Sequence, residues 1–340
     1  MTDIAAGSGR LPWLAWLAAL RAWLFLAILA VFFEVWARIA YGTTFFGNGF
    51  NLQSIAVFTV APLLLALGQT FVIISGGIDL SVGFTMGLAA VVVAHVANAA
   101  GHTFGPTAGF IAAILVALPA SAVPGLINGW LVARLGIPPF IGTLGMYGVA
   151  RGAAFLIAGG TAVPVANPLL ADLGSGSLLG VPLVVLVAVA MVAAMHYLLS
   201  ETRYGQYTYA IGGNREAAVR AGIRVGRMTL LLYVLSALCA GVGGILYTAR
   251  FAAGAAQAGE PLLLDSIAAV VIGGASLFGG SGTVIGTVIG ALIIAVIQYG
   301  LVFVDVEPFW QFIAVGIVII ISVVVDQSQK RLGARDLRRA

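Results

Sequence analysis

The sequence predicts an all-α, polytopic membrane protein of about ten transmembrane helices, with one or more of them broken or re-entrant. Three observations carry that prediction. Apolar residues make up 61% of the 340 residues and charged residues only 8%, with a mean hydropathy of +1.10. A soluble domain averages roughly 45–50% apolar and about 25% charged, so a water-soluble fold would lack polar residues to cover its surface, and disorder is excluded on the same ground. The apolar content, about 207 residues, fills roughly ten spans of about 20 residues each and leaves room only for short loops. Finally, 45 glycines are present, as expected where transmembrane helices pack closely or break.

The elements follow in order. Met1 to Arg10 is short and polar, and no small-residue cleavage site follows the first apolar stretch, so no cleavable signal peptide is expected. Ten apolar segments come next, at 20–37, 54–74, 82–99, 108–133, 140–158, 181–199, 228–248, 264–278, 284–304 and 309–326. The eighth is short and Gly-rich and reads as the broken or re-entrant one. The chain thus divides into an N-terminal segment (1–19), a membrane domain (20–326) carrying a charged loop at 201–227, and a basic tail (327–340).

Charge positions set the orientation. With the N-terminus in the cytoplasm and ten crossings, Arg10, Arg21, Arg134, Arg203, Arg215, Arg220, Arg224, Arg227, Lys330, Arg331, Arg335, Arg338 and Arg339 all fall inside. Only Arg38 and Arg250 fall outside, and Arg151 lies within a span. This is the positive-inside asymmetry, and it predicts an even number of crossings with both termini cytoplasmic. The tail is expected to lie near anionic lipid headgroups. The same distribution explains the basic pI of about 9.5 without nucleic acid.

Several chemistries are excluded. A phosphate-binding P-loop needs a lysine after its Gly-rich turn. The only lysine, Lys330, follows Asp326-Gln-Ser-Gln329, so ATP would have to be bound by another polypeptide. Cys239 alone permits neither an internal disulfide nor a cysteine metal cluster, and His95, His102 and His196 lack metal-ligand spacing. No clustered nucleophile–base set is present, so no catalytic residues, metal or cofactor are expected.

The 201–227 loop is the longest charged stretch. Gly212-Gly213-Asn214 reads as a turn, Asn214 as the N-cap of a short helix from Arg215 to Ala221 with Glu216 in its first turn, and Gly222 as its left-handed terminator. Alone, this is a helix lying across the cytoplasmic face, and a solvated loop obeying the charge rule would look much the same.

Here the residues reach a resemblance. Glu216-Ala217-Ala218 with Gly222-Ile223 resembles the coupling motif of bacterial ABC importer permeases, and Tyr209-Ala-Ile-Gly-Gly-Asn-Arg-Glu-Ala-Ala218 is similar to the ribose-type sugar permease subunits. Gly68-Gln-Thr-Phe-Val-Ile-Ile-Ser-Gly-Gly-Ile-Asp-Leu-Ser-Val-Gly83, Gly136-Ile-Pro-Pro-Phe-Ile-Gly-Thr-Leu-Gly145 with Arg151-Gly152, and Leu264-Asp-Ser-Ile-Ala-Ala-Val-Val-Ile-Gly-Gly-Ala-Ser-Leu-Phe-Gly-Gly280 resemble further motifs of that family in order and spacing. The likeness covers about residues 50–326. It implies a permease subunit, not an enzyme, in the bacterial cytoplasmic membrane. It also implies a second permease subunit, a cytoplasmic ATP-binding subunit, an extracytoplasmic sugar-binding protein and a small-molecule sugar as cargo. Gly212, Gly213, Asn214, Arg215, Glu216, Ala217, Ala218 and Gly222 would then form the ATPase-coupling segment. Other cargoes within the superfamily are a nucleoside, a furanose signalling molecule or a branched-chain amino acid.

For the translocation path the candidates are Gly76, Gly77, Asp79, Ser81, Asn128, Thr143 and Arg151. Gly76-Gly77 permits a tight bend at the cytoplasmic end of the second span, and Asp79 or Ser81 can cap the third helix, which is a purely structural account of the same residues. Arg151, costly at a helix centre by about 2.5–3.5 kcal/mol, needs a partner or water, with Asp265 or Glu260 as candidate partners. Gln69, Tyr147, Tyr233, Gln298, Tyr299 and Trp310 complete the intramembrane polar and aromatic set, each equally readable as helix-packing glue. If affinity resides in a binding protein, no tight intramembrane site is expected. Glu260, Asp305, Glu307 and Arg250 read as outer-loop charges. Asp79 and Asp265 read as lying near span ends, which counts against an ion-coupled secondary transporter with a carboxylate at the midplane. Gly76-Gly77 and Gly83 recur as Gly273-Gly274 and Gly280, a weak repeat that chance explains as well as duplication.

Overall fold

The computed structural model describes residues 12–307, 309–318 and 320. Although 273–278 of the eighth predicted apolar segment lies beyond its helix and 319 and 321–326 of the tenth lie outside the described residues, every such segment overlaps a helix. They are α1 (Pro12–Tyr41), α2 (Gly49–Ile74), α3 (Val82–Phe104), α4 (Pro106–Arg134) and α5 (Pro139–Ala158), then, after β1 (Val163–Pro164), α6 (Pro168–Ser175), β2 (Ser177–Leu178) and β3 (Val181–Pro182), α7 (Leu183–Ser200). The charged loop forms α8 (Arg203–Gly213) and α9 (Arg215–Arg220). Then follow α10 (Val225–Phe251), β4 (Ala253–Gly254), α11 (Leu262–Ile272), α12 (Val284–Phe303) and α13 (Phe309–Val318). Eight of these helices are long and apolar enough to cross a membrane; α11 and the described part of α13 are shorter. The candidate calls on Arg10 and on the basic tail lie outside the described residues.

Helix α2 is the central post and the most buried span. It packs against α10, α11, α12 and α7, while α3 and α4 pack on α10 from the other side and α5 lies against α3 and α4. The largest apolar cluster joins α2, α10, α11 and α12 around Leu64, Leu67, Phe71, Leu232, Val270 and Ile294. The strands are two-residue pairs outside the helices: β1 pairs antiparallel with β4, and β2 with β3. At the far end of α1, Glu34 accepts the backbone N–H groups of Phe45 and Phe46 at 2.9 and 3.0 Å, closing the turn into α2.

Two segments interrupt the helices inside the bundle. After α2 the chain turns back on itself. Gly68 abuts the backbone of Ser236, Gln69 hydrogen-bonds Asp79, and Asp79 meets Ser236. Ser236 is eleven residues into the 27-residue α10, so α3 begins opposite the middle of α10 rather than at a membrane surface. Asp79 therefore lies at mid-depth, not near a span end as the linear topology placed it; the hydrophobic pattern records only where helix stops and cannot show that the next few residues climb back. The second interruption is the segment between β4 and α11. α11 has 11 residues, about 16 Å of helix, roughly half the hydrocarbon thickness. This is the broken eighth span.

Candidate functional site

The exposed unit is built from two short helices, α8 and α9. Asn214 adopts extended backbone and its side chain accepts the Ala217 N–H at 2.9 Å, starting α9. Gly222, at φ +82, ends it, with the Gly222 and Ile223 N–H groups returning to Val219 and Ala218. Arg215, Glu216, Ala217 and Arg220 are exposed, and only Ala218 is buried against the bundle. Glu216 and Arg220 face each other at 3.8 Å, an open i,i+4 pair that contributes little by itself.

The first is α8, where the charged stretch alone predicts only loop. Thr202 caps it by accepting the Tyr204 N–H at 3.2 Å. Gly212 and Gly213 are its last turn rather than a separate turn. The fixed point is Gly212: a Cβ there would overlap the carbonyl of Ile74 and the amide of Gly280. Gly280 in turn donates its N–H to the Ile74 carbonyl at 2.8 Å, and Gly279, at φ +86, sits against Gly76 and Gly212. The Tyr209 hydroxyl donates to the Gly282 carbonyl at 2.6 Å, and burial raises its pKa above the ordinary value. Main chain of α8 is thus stacked on both Gly-rich breaks, the one after α2 and the one after α11.

The break after α2 carries a buried polar cluster. Asp79 is fully buried and accepts four donors through its carboxylate: the Ser81 N–H (3.0 Å), Ser81 Oγ (2.7 Å), Ser236 Oγ (3.1 Å) and Asn128 Nδ2 (3.3 Å). Asn128 Nδ2 also donates to Ser81 Oγ at 2.8 Å. Ser81 is the N-cap of α3 but makes no side-chain cap bond; Asp79, two residues ahead, holds the turn instead. Thr143 on α5 donates to the Ile78 carbonyl at 3.2 Å, tying α5 to the same break.

One turn further along α5, Tyr147 donates to Glu260 Oε1 at 3.1 Å and also interacts with Arg151. The Arg151 guanidinium lies over the Phe84 ring at 5.4 Å, a cation–π contact, and its residue is exposed on the bundle surface. Glu260 is therefore reached through Tyr147, and it is not an outer-loop charge. Asp265 is not the partner of Arg151: it accepts from Gln298 Nε2 at 2.8 Å.

The family described as "branched-chain amino acid transport system / permease component" matches residues 51–323. The chain belongs to that family of transport permeases. The permease is 37% identical over 311 residues to a probable ABC transporter permease protein, y4mJ, of Sinorhizobium fredii, covering 91% of this chain and 89% of the relative. It is 35% identical to the fructose import permease protein FrcC of Rhizobium meliloti (88% and 85%) and 37% identical to the ribose import permease protein RbsC of Escherichia coli K12 (82% and 86%). No solved structure is a significant match.

Two sets of residues in this permease, named separately from sequence, prove to be neighbours. Gly212 and Gly76 meet at Gly279, and Asp79, Ser81 and Asn128 form one cluster, while Gly77 lies beside the Tyr233 hydroxyl. Arg151 stands apart on α5. The residues that sequence reasoning missed are Thr202, Tyr209 and the backbone of 279–282; of the two partners it offered Arg151, Glu260 is the one the structure brings near, through Tyr147. For α8 a signal existed: Thr202 directly before Arg203-Tyr204 is an N-cap pattern.

Proposed function

We propose that the protein is the membrane-spanning permease subunit of an ATP-driven importer that moves a monosaccharide into the bacterial cytoplasm. The observation that carries this reading is the exposed helix α9, joined through α8 to the backbone of both intramembrane breaks. A separate ATP-binding subunit that grips α9 would displace the breaks directly. The cargo reading rests on relatives whose names specify ribose and fructose, and the protein would receive its sugar from an extracytoplasmic binding protein. Two copies, or this chain and a second permease, enclose the path.

On this reading the path runs along α5. Arg151 is exposed there within an apolar span and has no carboxylate ion-pair partner among the described residues. A charge in that position is stable only if its face meets water or another subunit rather than lipid. Tyr147 and Arg151 line that face, and behind it lie the buried Thr143 and the Asp79–Ser81–Asn128 cluster with Gly76 and Gly77. Both termini lie in the cytoplasm, by the distribution of arginines.

The test is reconstitution with the ATP-binding subunit and the binding protein. Glu216→Lys, which reverses the charge on the exposed face of α9, abolishes sugar-stimulated ATP hydrolysis while the permease still purifies as a folded, monodisperse protein. Stimulation equal to wild type removes the coupling assignment. The family description favours a second cargo, a branched-chain amino acid; leucine uptake in place of ribose or fructose uptake decides for it.

A further inference from the structure

The segment that connects β4 to α11 has no role in the coupling described above. Gly254 abuts the Ala90 carbonyl, Gly87 abuts Ala256, and Gly259 abuts Gly83, so the chain descends along α3 without forming a helix. Because α3 starts opposite the middle of α10, Gly259 and Glu260 reach mid-depth. Backbone outside a helix is tolerated there only where protein buries it or a water-filled cavity receives it. One side of the segment is buried on α3. The other side walls a cavity of about 600 Å³ between α2, α10 and α12.

The contents of that cavity are specific. The rings of Tyr247 and Phe251 lie 4.6 Å apart and tilted at 42°, forming an aromatic wall. Gln257, Glu260, Arg250 and Gln298 supply planar hydrogen-bonding groups. The Gln257 side chain and the Arg250 guanidinium have no hydrogen-bond or ion-pair partner among the described residues, and Glu260 uses only Oε1, toward Tyr147. Pockets of this kind, mostly apolar with a few directed polar groups, orient a ligand by those groups. A pyranose or furanose ring presents C–H bonds to an aromatic face and hydroxyls at its edge to planar amides and carboxylates. Opposite charges on Arg250 and Glu260 leave no net charge to be matched.

We propose that the unwound segment 255–261 and the aromatic wall facing it form a monosaccharide-binding site that extends from the last turns of α10 to Glu260, from which Glu260 passes the sugar toward Tyr147 and Arg151. The site rests on the monosaccharide-importer reading, and its test separates the two. Cys239 is the chain's one cysteine and is fully buried, so Gln257→Cys introduces the single accessible thiol of the permease, read on the permease band. In proteoliposomes of the complete transporter, labelling of this thiol by a membrane-impermeant maleimide is timed with D-ribose, D-fructose, D-galactose or leucine present. One of the three sugars should slow labelling several-fold and leucine should not. Protection by leucine, or no protection by any sugar in vesicles that nevertheless import one, overturns the site and leaves the importer reading standing. Wild-type vesicles that import none of the three sugars overturn both. A second variant guards against misfolding: Tyr247→Ala should raise the KM for uptake of the protecting sugar about tenfold with a smaller effect on maximal rate. A KM within about twofold of wild type overturns the site.

Discussion

A carboxylate at mid-depth persists only where donors replace the water it has lost. Asp79 has four, and they come from three different helices or their caps. Its removal therefore strands donors rather than deleting one contact. Asp79→Ala is expected to destabilise the permease by about 1–3 kcal/mol for each donor left unsatisfied, read as a lowered Tm in detergent. Asp79→Asn keeps the shape and one carbonyl acceptor and should lose less. A Tm for Asp79→Ala equal to wild type would show that the cluster does not hold α3 in place. Gly212 makes the opposite kind of demand: it works by having no side chain. Gly212→Val would drive its Cβ into the Ile74 carbonyl and separate α8 from the breaks. The expected result is basal ATP hydrolysis by the assembled transporter without sugar-stimulated hydrolysis. Normal stimulation would mean that the contact transmits nothing.

At the level of elements, α9 is a six-residue helix that cannot be stable on its own. It depends on its Asn214 cap and on the Gly222 return. Asn214→Ala should cost about 1 kcal/mol, confined to the α8–α9 unit. It should weaken binding of the ATP-binding subunit in pull-down while the thermal transition of the membrane domain stays put; a shift of that transition instead would contradict the picture of α9 as a local appendage. This element was legible in the sequence because caps and terminators are local chemistry: Asn214, Glu216 and Gly222 each act within a few residues of themselves. The ten apolar segments were legible for a similar reason, since a span announces itself by composition alone. The return of 75–81 to mid-depth was not. Its position is fixed by Gln69, Asn128 and Ser236, residues up to 157 positions away in the chain, and nothing local distinguishes a surface turn from one that climbs back inside. Glu260 carried two readings, outer-loop charge and partner of Arg151, for the same reason: a polar residue beside Gly259 and Pro261 looks like loop until its contact with Tyr147 is seen.

For the whole molecule, the asymmetry of arginines predicts which face meets which compartment. Arg220→Cys, on exposed α9, should react with an impermeant thiol reagent only after cells are permeabilised. Thr161→Cys, exposed in the segment after α5, should react in intact cells. The reverse pattern would invert the molecule and with it the coupling assignment. The two Gly-rich breaks, similar in sequence, also face each other in space, Gly76 against Gly279, and the main chain of both adjoins α8 at Gly212. The joint they form with Gly212 is made of peptide groups. It reads no side-chain code, so it demands nothing of the residues proposed to meet cargo on α5 or along 255–261. Those surfaces are free to drift, one substitution at a time, without the drive mechanism having to be rebuilt. A common engine beneath interchangeable cargo faces is what such a main-chain hinge allows, and the price is that a single methyl group at the hinge is enough to stall it.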